Sequence, residues 1–147
     1  MDPGSFAGLL ALTVAALFTG AAFYINFAEQ PARLALDDRA LLAQWKPSYK
    51  RGYAMQATLA MIGFLFGLLA WWLSGQPAFL AGALLIVANW PWSVLGIFPT
   101  NKKLMATEPA SAGADTRLLI RQWNRLHAVR TLLGALAVVA FLVALSS

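Results

Sequence analysis

Residues Gly52–Phe98 decide the fold: they read GYAMQATLAMIGFLFGLLAWWL, then SGQP at 74–77, then AFLAGALLIVANWPWSVLGIF. Each apolar run has about 20 residues, which as a helix spans the hydrocarbon core of a bilayer. In lipid every backbone polar group must be bonded internally, and neither run alternates as a barrel strand would. The stretch therefore predicts two transmembrane helices joined by a tight, uncharged turn.

Two further apolar runs, Phe6–Phe27 and Leu126–Leu145, flank this hairpin. Hydrophobic residues make up 60% of the chain and charged residues only 12%, whereas a soluble domain carries about a quarter charged residues. Composition and pattern predict a single all-α membrane domain over residues 1–147, a bundle of four transmembrane helices built from two helical hairpins. The expected helices cover about 6–28, 50–73, 78–98 and 116–145, with a short interfacial helix at about 32–45 that ends at Pro47.

The basic residues indicate the orientation of the chain. All eleven Lys and Arg lie in the two long connections or just inside the helices that border them. The positive-inside rule places those connections in the cytoplasm, and both termini and the Ser74–Pro77 turn outside. We therefore expect a protein of the bacterial inner membrane. Its expected partners are the lipid bilayer and a lipophilic small molecule; a second copy of the chain is a further candidate partner, and nucleic acid is not expected.

Several classes of site are excluded or weakly supported. The chain has no Cys and one His, which rules out disulfides, thiolate metal sites and bis-histidine haem ligation within one chain. Phosphate-binding and dinucleotide-binding glycine motifs are absent. A metal held by His127 and Glu29 remains an unsupported alternative, and no cofactor is evident.

Polar side chains inside lipid are costly, so they mark candidate functional positions. Three sets share a helix face by their spacing, and inward-facing sets would form a polar floor at the cytoplasmic mouth of the bundle. The sets are Asn26, Glu29 and Arg33; Tyr49, Gly52 and Gln56; and Trp123, His127 and Arg130.

The three ionisable residues of this floor allow more than one role. His127 is either a proton-transferring group or an interfacial side chain with a local hydrogen-bond partner. Glu29 is either a proton acceptor or half of a helix-end salt bridge with Arg33. Arg130 is a snorkelling anchor, a partner for Glu29, or the holder of an anion. On the third helix, Asn89 and Trp90 precede Pro91, where a kink serves either packing or an aromatic-walled pocket.

The two halves of the chain show a weak internal similarity. In each half, the first helix ends near an Asn and a Pro, and the second opens with a Trp followed four residues later by a Tyr or a His. The matching positions are Asn26, Pro31, Trp45 and Tyr49 in one half, and Asn101, Pro99, Trp123 and His127 in the other.

Several short motifs are familiar together: FYINF at 23–27, EQPAR at 29–33, YKRG at 49–52, PTNKKL at 99–104 and WNRLHAVR at 123–130. With Trp45 and Gln56 they resemble the small four-helix membrane family of unknown function that includes the anthrone oxygenases. The resemblance covers almost the whole chain. It implies an oxidoreductase that oxidises a lipophilic anthrone- or hydroquinone-like compound with dioxygen, and the lack of an evident cofactor site suits a cofactor-independent reaction.

In that chemistry His127 or Glu29 would remove a proton from the substrate, and Arg130 would help to hold the resulting anion. A non-enzymatic transporter or accessory subunit is the alternative function. The candidate catalytic residues are His127, Glu29 and Arg130, and the candidate substrate contacts are Asn26, Tyr49, Gln56, Asn89, Trp90, Asn101 and Trp123.

Overall fold

A computed structural model describes residues 1–147 and contains four helices long and apolar enough to cross a membrane. We label them α1 (Pro3–Leu34), α2 (Asp38–Ser74), α3 (Pro77–Ala106) and α4 (Ala114–Ser146). A short 3₁₀ turn, Pro109–Ser111, lies between α3 and α4. The chain is an integral membrane protein, and the predicted all-α four-helix fold is confirmed. Each helix is longer than its predicted range, because the apolar runs mark only the part of a helix that lipid surrounds.

The four helices form a square in which α1 and α3 each pack against both α2 and α4. The end that carries both termini and the α2–α3 turn is called the terminal end, and the opposite end the long-loop end. The turn at the terminal end closes through Gly75, which has a φ of 72°. That left-handed conformation is one that glycine adopts without strain.

The terminal half is closely packed. Small residues recur every three or four positions along the buried face of α1, and the rings of Phe18, Phe79 and Phe141 fill the space between helices. At Gly82 a Cβ atom would lie 2.5 Å from the Phe141 ring. Absence of a side chain there lets α3 and α4 approach closely, as is common in membrane bundles. These residues form the terminal-end core.

Both α1 and α3 contain a five-residue π-helical segment, Ile25–Glu29 and Ser93–Ile97, near the long-loop end. In each case a proline follows two residues later, at Pro31 and at Pro99. Proline lacks the N–H that would bond four residues back, and its ring crowds that carbonyl. A π-turn adds one residue to the helix, so the residue before each proline donates instead to the carbonyl five residues back. The bonds are Gln30 to Ile25 and Phe98 to Ser93.

The predicted interfacial helix at 32–45 is wrong in its bounds. α1 ends at Leu34, and α2 then runs from Asp38 to Ser74 without a break at Pro47. Pro47 and Ala43, whose carbonyl loses its bond, both lie on the exposed face of α2. Water or headgroups can therefore solvate that carbonyl, and the helix continues.

The apolar side chains that suggested an interfacial helix instead turn into the bundle. Leu41, Leu42 and Trp45 are fully buried and pack against residues of α3 and α4. They form the loop-end core, whose members are Leu41, Leu42, Trp45, Ile97, Leu104, Ile120 and Trp123.

The two long connections are joined to each other. Arg117 forms a salt bridge of 2.6 Å with Asp38 and donates to the carbonyl oxygens of Leu34 and Leu36, at 2.8 and 2.6 Å. These contacts fix the start of α2 against the start of α4.

Candidate functional site

A polar layer crosses the bundle between the two apolar cores. Its buried members include Gln56, Asn89, Ser93, His127 and Arg130. The sequence placed such groups in a floor at the mouth of the bundle. The structure brings these groups together inside the bundle, and the fully buried Leu41, Leu42, Leu104 and Ile120 lie beyond them on the long-loop side. The polar groups thus lie in an enclosed region with apolar packing above and below.

A cleft of about 420 Å³ opens within this layer. All four helices contribute to its lining, because the π-segments turn residues of α1 and α3 inward towards α2 and α4. Six of the ten predicted site residues line this one cleft: Glu29, Tyr49, Asn101, Trp123, His127 and Arg130.

Hydrogen bonds from α1 hold His127 in place. The Nδ1 atom of His127 lies 3.0 Å from the Oδ1 atom of Asn26, and the Thr131 hydroxyl donates to the same oxygen at 2.8 Å. The His127 ring stacks on Trp123, with ring centroids 4.9 Å apart. Asn26 lies outside the cleft lining, so it supports His127 from behind rather than facing the cleft as a predicted substrate contact would.

The orientation of the Asn26 amide fixes the protonation pattern of neutral His127. The Nδ2 atom of Asn26 lies 3.0 Å from the backbone carbonyl oxygen of Asn124. A backbone carbonyl only accepts, so the atom facing it must be the amide nitrogen, and the amide oxygen faces His127. Nδ1 of His127 therefore carries the hydrogen, and Nε2 carries the lone pair. Nε2 has no partner within the chain and is not sealed in the interior.

Arg130 is a buried cation without a counter-ion. Only 7% of its surface is exposed, it forms neither of the two salt bridges in the structure, and its Nε has no hydrogen-bond partner. Its guanidinium lies 5.5 Å from the centroid of the Phe18 ring. The pairing with Glu29, one of the three roles that the sequence allowed for Arg130, is not formed. A buried charge of this kind favours an anionic ligand in the adjoining cleft.

Glu29 is occupied by other partners. Its Oε1 atom forms a salt bridge with Arg33 and accepts from Gln44 at 3.1 Å. Arg33 in turn donates to Gln30 at 3.0 Å, and Gln30 donates to the Ile120 carbonyl at 3.2 Å. This network connects the end of α1 to α2 and α4. It matches the helix-end salt bridge that the sequence allowed for this pair.

The remaining predicted contacts lie elsewhere. Asn89 and Trp90 line a smaller cleft of about 260 Å³ between α2 and α3, which also reaches Arg130. Trp90 is 41% exposed, and its indole donates to the Ala57 carbonyl at 3.3 Å. Gln56 is buried without any hydrogen bond from its side chain and lines none of the main clefts.

Sequence reasoning missed four lining residues of consequence: Tyr53, Ser93, Ile97 and Phe98. Tyr53 follows Tyr49 by one helical turn, and that spacing could have identified it. The three α3 residues gave no such signal, because they belong to or adjoin a π-segment whose rotation the ordinary helical period does not describe.

The two Trp-x₃-aromatic pairs that suggested an internal repeat meet at the cleft. Trp45 stacks on Tyr49 at 4.9 Å, as Trp123 does on His127. The two tryptophans contact each other edge to face, with centroids 5.7 Å apart. The matched positions of the halves therefore face one another across the bundle.

Comparison with protein families gives one match, over residues 45–140, to the family described as anthrone oxygenase. This chain belongs to the anthrone oxygenase family. The match spans most of α2, all of α3 and α4 as far as residue 140, so it includes the cleft residues of three helices. Asn26 and Glu29 of α1 lie outside the matched range. Comparison with curated proteins and with solved structures gives no match.

The cleft of this anthrone oxygenase family member offers few side chains that could bind a metal ion. No group of three or more His, Cys, Asp or Glu side chains converges anywhere in the structure. Glu29, the carboxylate that the sequence paired with His127 for this purpose, is bonded to Arg33 and Gln44. The polar atoms directed at the cleft suit an organic anion better than a cation.

Proposed function

We propose that this protein oxidises a lipophilic phenolic substrate of the anthrone or hydroquinone type with dioxygen in the central cleft. The observation that carries the proposal is the pairing of two groups in one cleft: an imidazole whose Nε2 lone pair is free, and a buried arginine without a counter-ion. One group can take a proton from a carbon or phenol acid, and the other can hold the anion that results.

The cleft suits a flat aromatic molecule. The rings of Tyr53, Phe98 and Trp123 provide apolar walls, while Tyr49 and Asn101 bring hydrogen-bonding groups.

For an anthrone, the proposed reaction balances with the substrate and dioxygen alone. Nε2 of His127 accepts one of the two protons at C10, and Arg130 stabilises the negative charge that spreads onto the substrate oxygen. The anion transfers an electron to dioxygen, and the two radicals combine through a C10–O bond. The resulting peroxide anion takes back the proton from His127 Nε2, which gives a hydroperoxide and restores the neutral imidazole. Loss of the second C10 hydrogen and cleavage of the O–O bond then release water and leave the quinone carbonyl.

Glu29 is the less suitable base because its Oε1 already accepts from Arg33 and Gln44. We expect Glu29→Gln to weaken the end of α1 and to reduce turnover much less than a His127 variant does. A loss of kcat in Glu29→Gln equal to that in His127→Gln would transfer the role of base to Glu29.

The test is oxygen uptake and quinone formation from an anthrone by the purified protein in lipid vesicles, with protein-free vesicles to subtract spontaneous oxidation. Removal of a general base lowers the rate of the catalysed step by about 10²–10⁴-fold. The protein-dependent kcat of His127→Gln should therefore fall by at least about 10²-fold. Arg130→Gln should lose about 10²-fold or more, since it removes a charge that faces the developing anion. Equal rates for the wild type and His127→Gln, with both folded, would refute the proposal.

Transport, the alternative function, is less well supported. The terminal-end core fills the half of the bundle through which a solute would have to pass, and the three main clefts lie towards the long-loop end. The cleft is therefore closed towards the terminal end, which does not favour passage of a solute across the membrane.

A further inference from the structure

The central cleft is closed along the membrane normal in both directions. The terminal-end core seals one side, with Phe18 and Phe141 fully buried. The loop-end core seals the other, with Trp45 and Trp123 in edge-to-face contact. A substrate must therefore reach the cleft sideways, between two helices.

A wide groove lies between α1 and α2 beside the cleft. It is broadly open to the outside of the bundle and shares four lining residues with the central cleft: Ile25, Glu29, Ser48 and Gly52. Its outer part is bordered by the exposed side chains of Tyr24, Arg51 and Met55, of which Tyr24 and Met55 are 61% and 48% exposed. The groove thus runs from the outer surface of the bundle to the shared boundary of the cleft.

Gly52 occupies that boundary without a packing reason. A Cβ atom added there would meet only the Ile25 Cδ1 atom, at 3.9 Å. At Gly67, Gly82 and Gly134, by contrast, a Cβ would come within 3 Å of neighbouring side chains. Glycine inside a helix costs about 0.5–1 kcal/mol relative to alanine, and at position 52 close packing does not offset that cost. The missing side chain instead leaves the boundary open.

A second opening, between α2 and α3, is smaller, and a hydrogen bond crosses it. The cleft of about 260 Å³ between α2 and α3 is crossed by the hydrogen bond from the Trp90 indole to the Ala57 carbonyl. A tricyclic molecule would have to break that contact to pass.

We propose that the substrate enters from the bilayer through the groove between α1 and α2, and that Gly52 sets the width of molecule that can pass. The occupant is a flat, lipid-dissolved aromatic phenol, and this identification rests on the proposed function. Apolar surface at Tyr24 and Met55 suits its rings, while Ser48 and Glu29 at the boundary suit its hydroxyl groups. The route makes Gly52 a specificity-determining residue for the size of the substrate.

The first experiment measures kcat and kcat/KM in vesicles for the wild type, Gly52→Leu, Gly52→Phe and Ala57→Phe, the last of which narrows the α2–α3 cleft instead. The side chain introduced at position 52 must be displaced each time a substrate molecule enters, so kcat/KM should fall by about tenfold or more, and kcat should fall less. The larger Phe should have a greater effect than Leu. Ile25→Trp narrows the same boundary from α1 and should act alike, which covers the case in which Gly52→Phe does not fold. Gly20→Phe, on the lipid-facing side of α1 where nothing lies within 4 Å, is the matched control and should retain the wild-type value.

The second experiment does not depend on turnover. A diazirine-bearing hydroxyanthraquinone in the lipid phase is photolysed, and labelled peptides of α4 around His127 are identified by mass spectrometry. Gly52→Phe and Ile25→Trp should reduce labelling in the cleft, whereas Gly20→Phe should not.

The outcomes separate the two proposals. Labelling of the wild type that Gly52→Phe abolishes, without anthrone turnover by the wild type, would support the route and refute the proposed function. Unchanged kcat/KM and unchanged labelling in both narrowing variants would overturn the route, as would absence of labelling in the wild type. A loss confined to Ala57→Phe would assign access to the α2–α3 side and likewise overturn it.

Discussion

The hydrogen bond from His127 Nδ1 to Asn26 leads to a prediction about a single proton. Substituting leucine for Asn26 removes the acceptor for Nδ1–H while keeping a side chain of similar size. Neutral His127 then leaves a buried N–H unpaired if it keeps its hydrogen on Nδ1. The ring can avoid this cost by moving the hydrogen to Nε2, which faces the cleft. The variant should therefore convert the free Nε2 lone pair into an N–H group.

The size of the effect follows from the cost of an unpaired buried donor. That cost is about 1–3 kcal/mol, which corresponds to a fall of about tenfold to a hundredfold in the fraction of His127 with a free Nε2. Because only that form can accept a proton from the substrate, kcat/KM should fall by a similar factor. The loss should be smaller than in His127→Gln, which has no imidazole at all.

The assay uses the fact that the chain has one histidine. In protein labelled with ¹⁵N-histidine, two ring-nitrogen signals belong to His127, and their shifts distinguish a protonated from an unprotonated nitrogen. The wild type should show the hydrogen on Nδ1, and Asn26→Leu should show it largely on Nε2. This measurement requires neither a substrate nor any assumption about the reaction.

Thr131→Val provides the matched control. It removes the second hydrogen bond to Asn26 Oδ1, of 2.8 Å, and leaves the His127 contact in place. Its ring-nitrogen signals should resemble those of the wild type, even if its stability falls by the usual ~1 kcal/mol for one hydrogen bond. A wild-type His127 with its hydrogen on Nε2 would refute the assignment of the Asn26 amide and the role of His127 that depends on it.

Two further predictions concern packing and orientation. Gly82→Ala should destabilise the protein by about 1–3 kcal/mol, because its Cβ would meet the Phe141 ring at 2.5 Å. Gly20→Ala should stabilise it by about 0.5–1 kcal/mol, because nothing lies within 4 Å of that Cβ. Reversible unfolding in micelles measures both free energies, and the reverse order of stability would contradict the packing. Since the chain has no cysteine, an impermeant maleimide on intact cells should label Ser74→Cys but not Ser111→Cys, and the opposite pattern would invert the expected topology.

The transmembrane helices could be predicted because lipid imposes a simple rule on composition. Runs of about 20 apolar residues have few other uses, and the faces defined by Tyr49 and His127 followed from helical spacing alone. The ends of the helices could not be predicted in the same way. At Pro47 the sequence indicates a stop, but the helix continues because the affected carbonyl faces outward, and exposure of one backbone group is a property of the assembled bundle.

The candidate site was predictable in part for a related reason. Spacing placed Trp123, His127 and Arg130 on one face, and the structure brings all three to the cleft. The partners of those residues come from distant parts of the chain, as with Asn26 and His127, and no local pattern specifies such pairs. The π-segments add a second limit, because each shifts the following residues by one position relative to the usual period.

The two halves of the chain build an asymmetric site from similar parts. Each first helix has a π-segment six residues before the matching proline, at Ile25 and Pro31 and at Ser93 and Pro99. The second helices diverge at the positions that face the cleft.

Counting from each tryptophan, Tyr49 corresponds to His127, and Gly52 corresponds to Arg130. One half thus contributes an imidazole and a buried cation, while the other contributes a phenol and a gap between helices. If the proposals hold, the α4 half performs the proton transfer and binds the anion, and the α2 half admits the substrate. Two hairpins of similar pattern can separate these roles because the roles require opposite properties at matching positions, a charged side chain at one and none at the other.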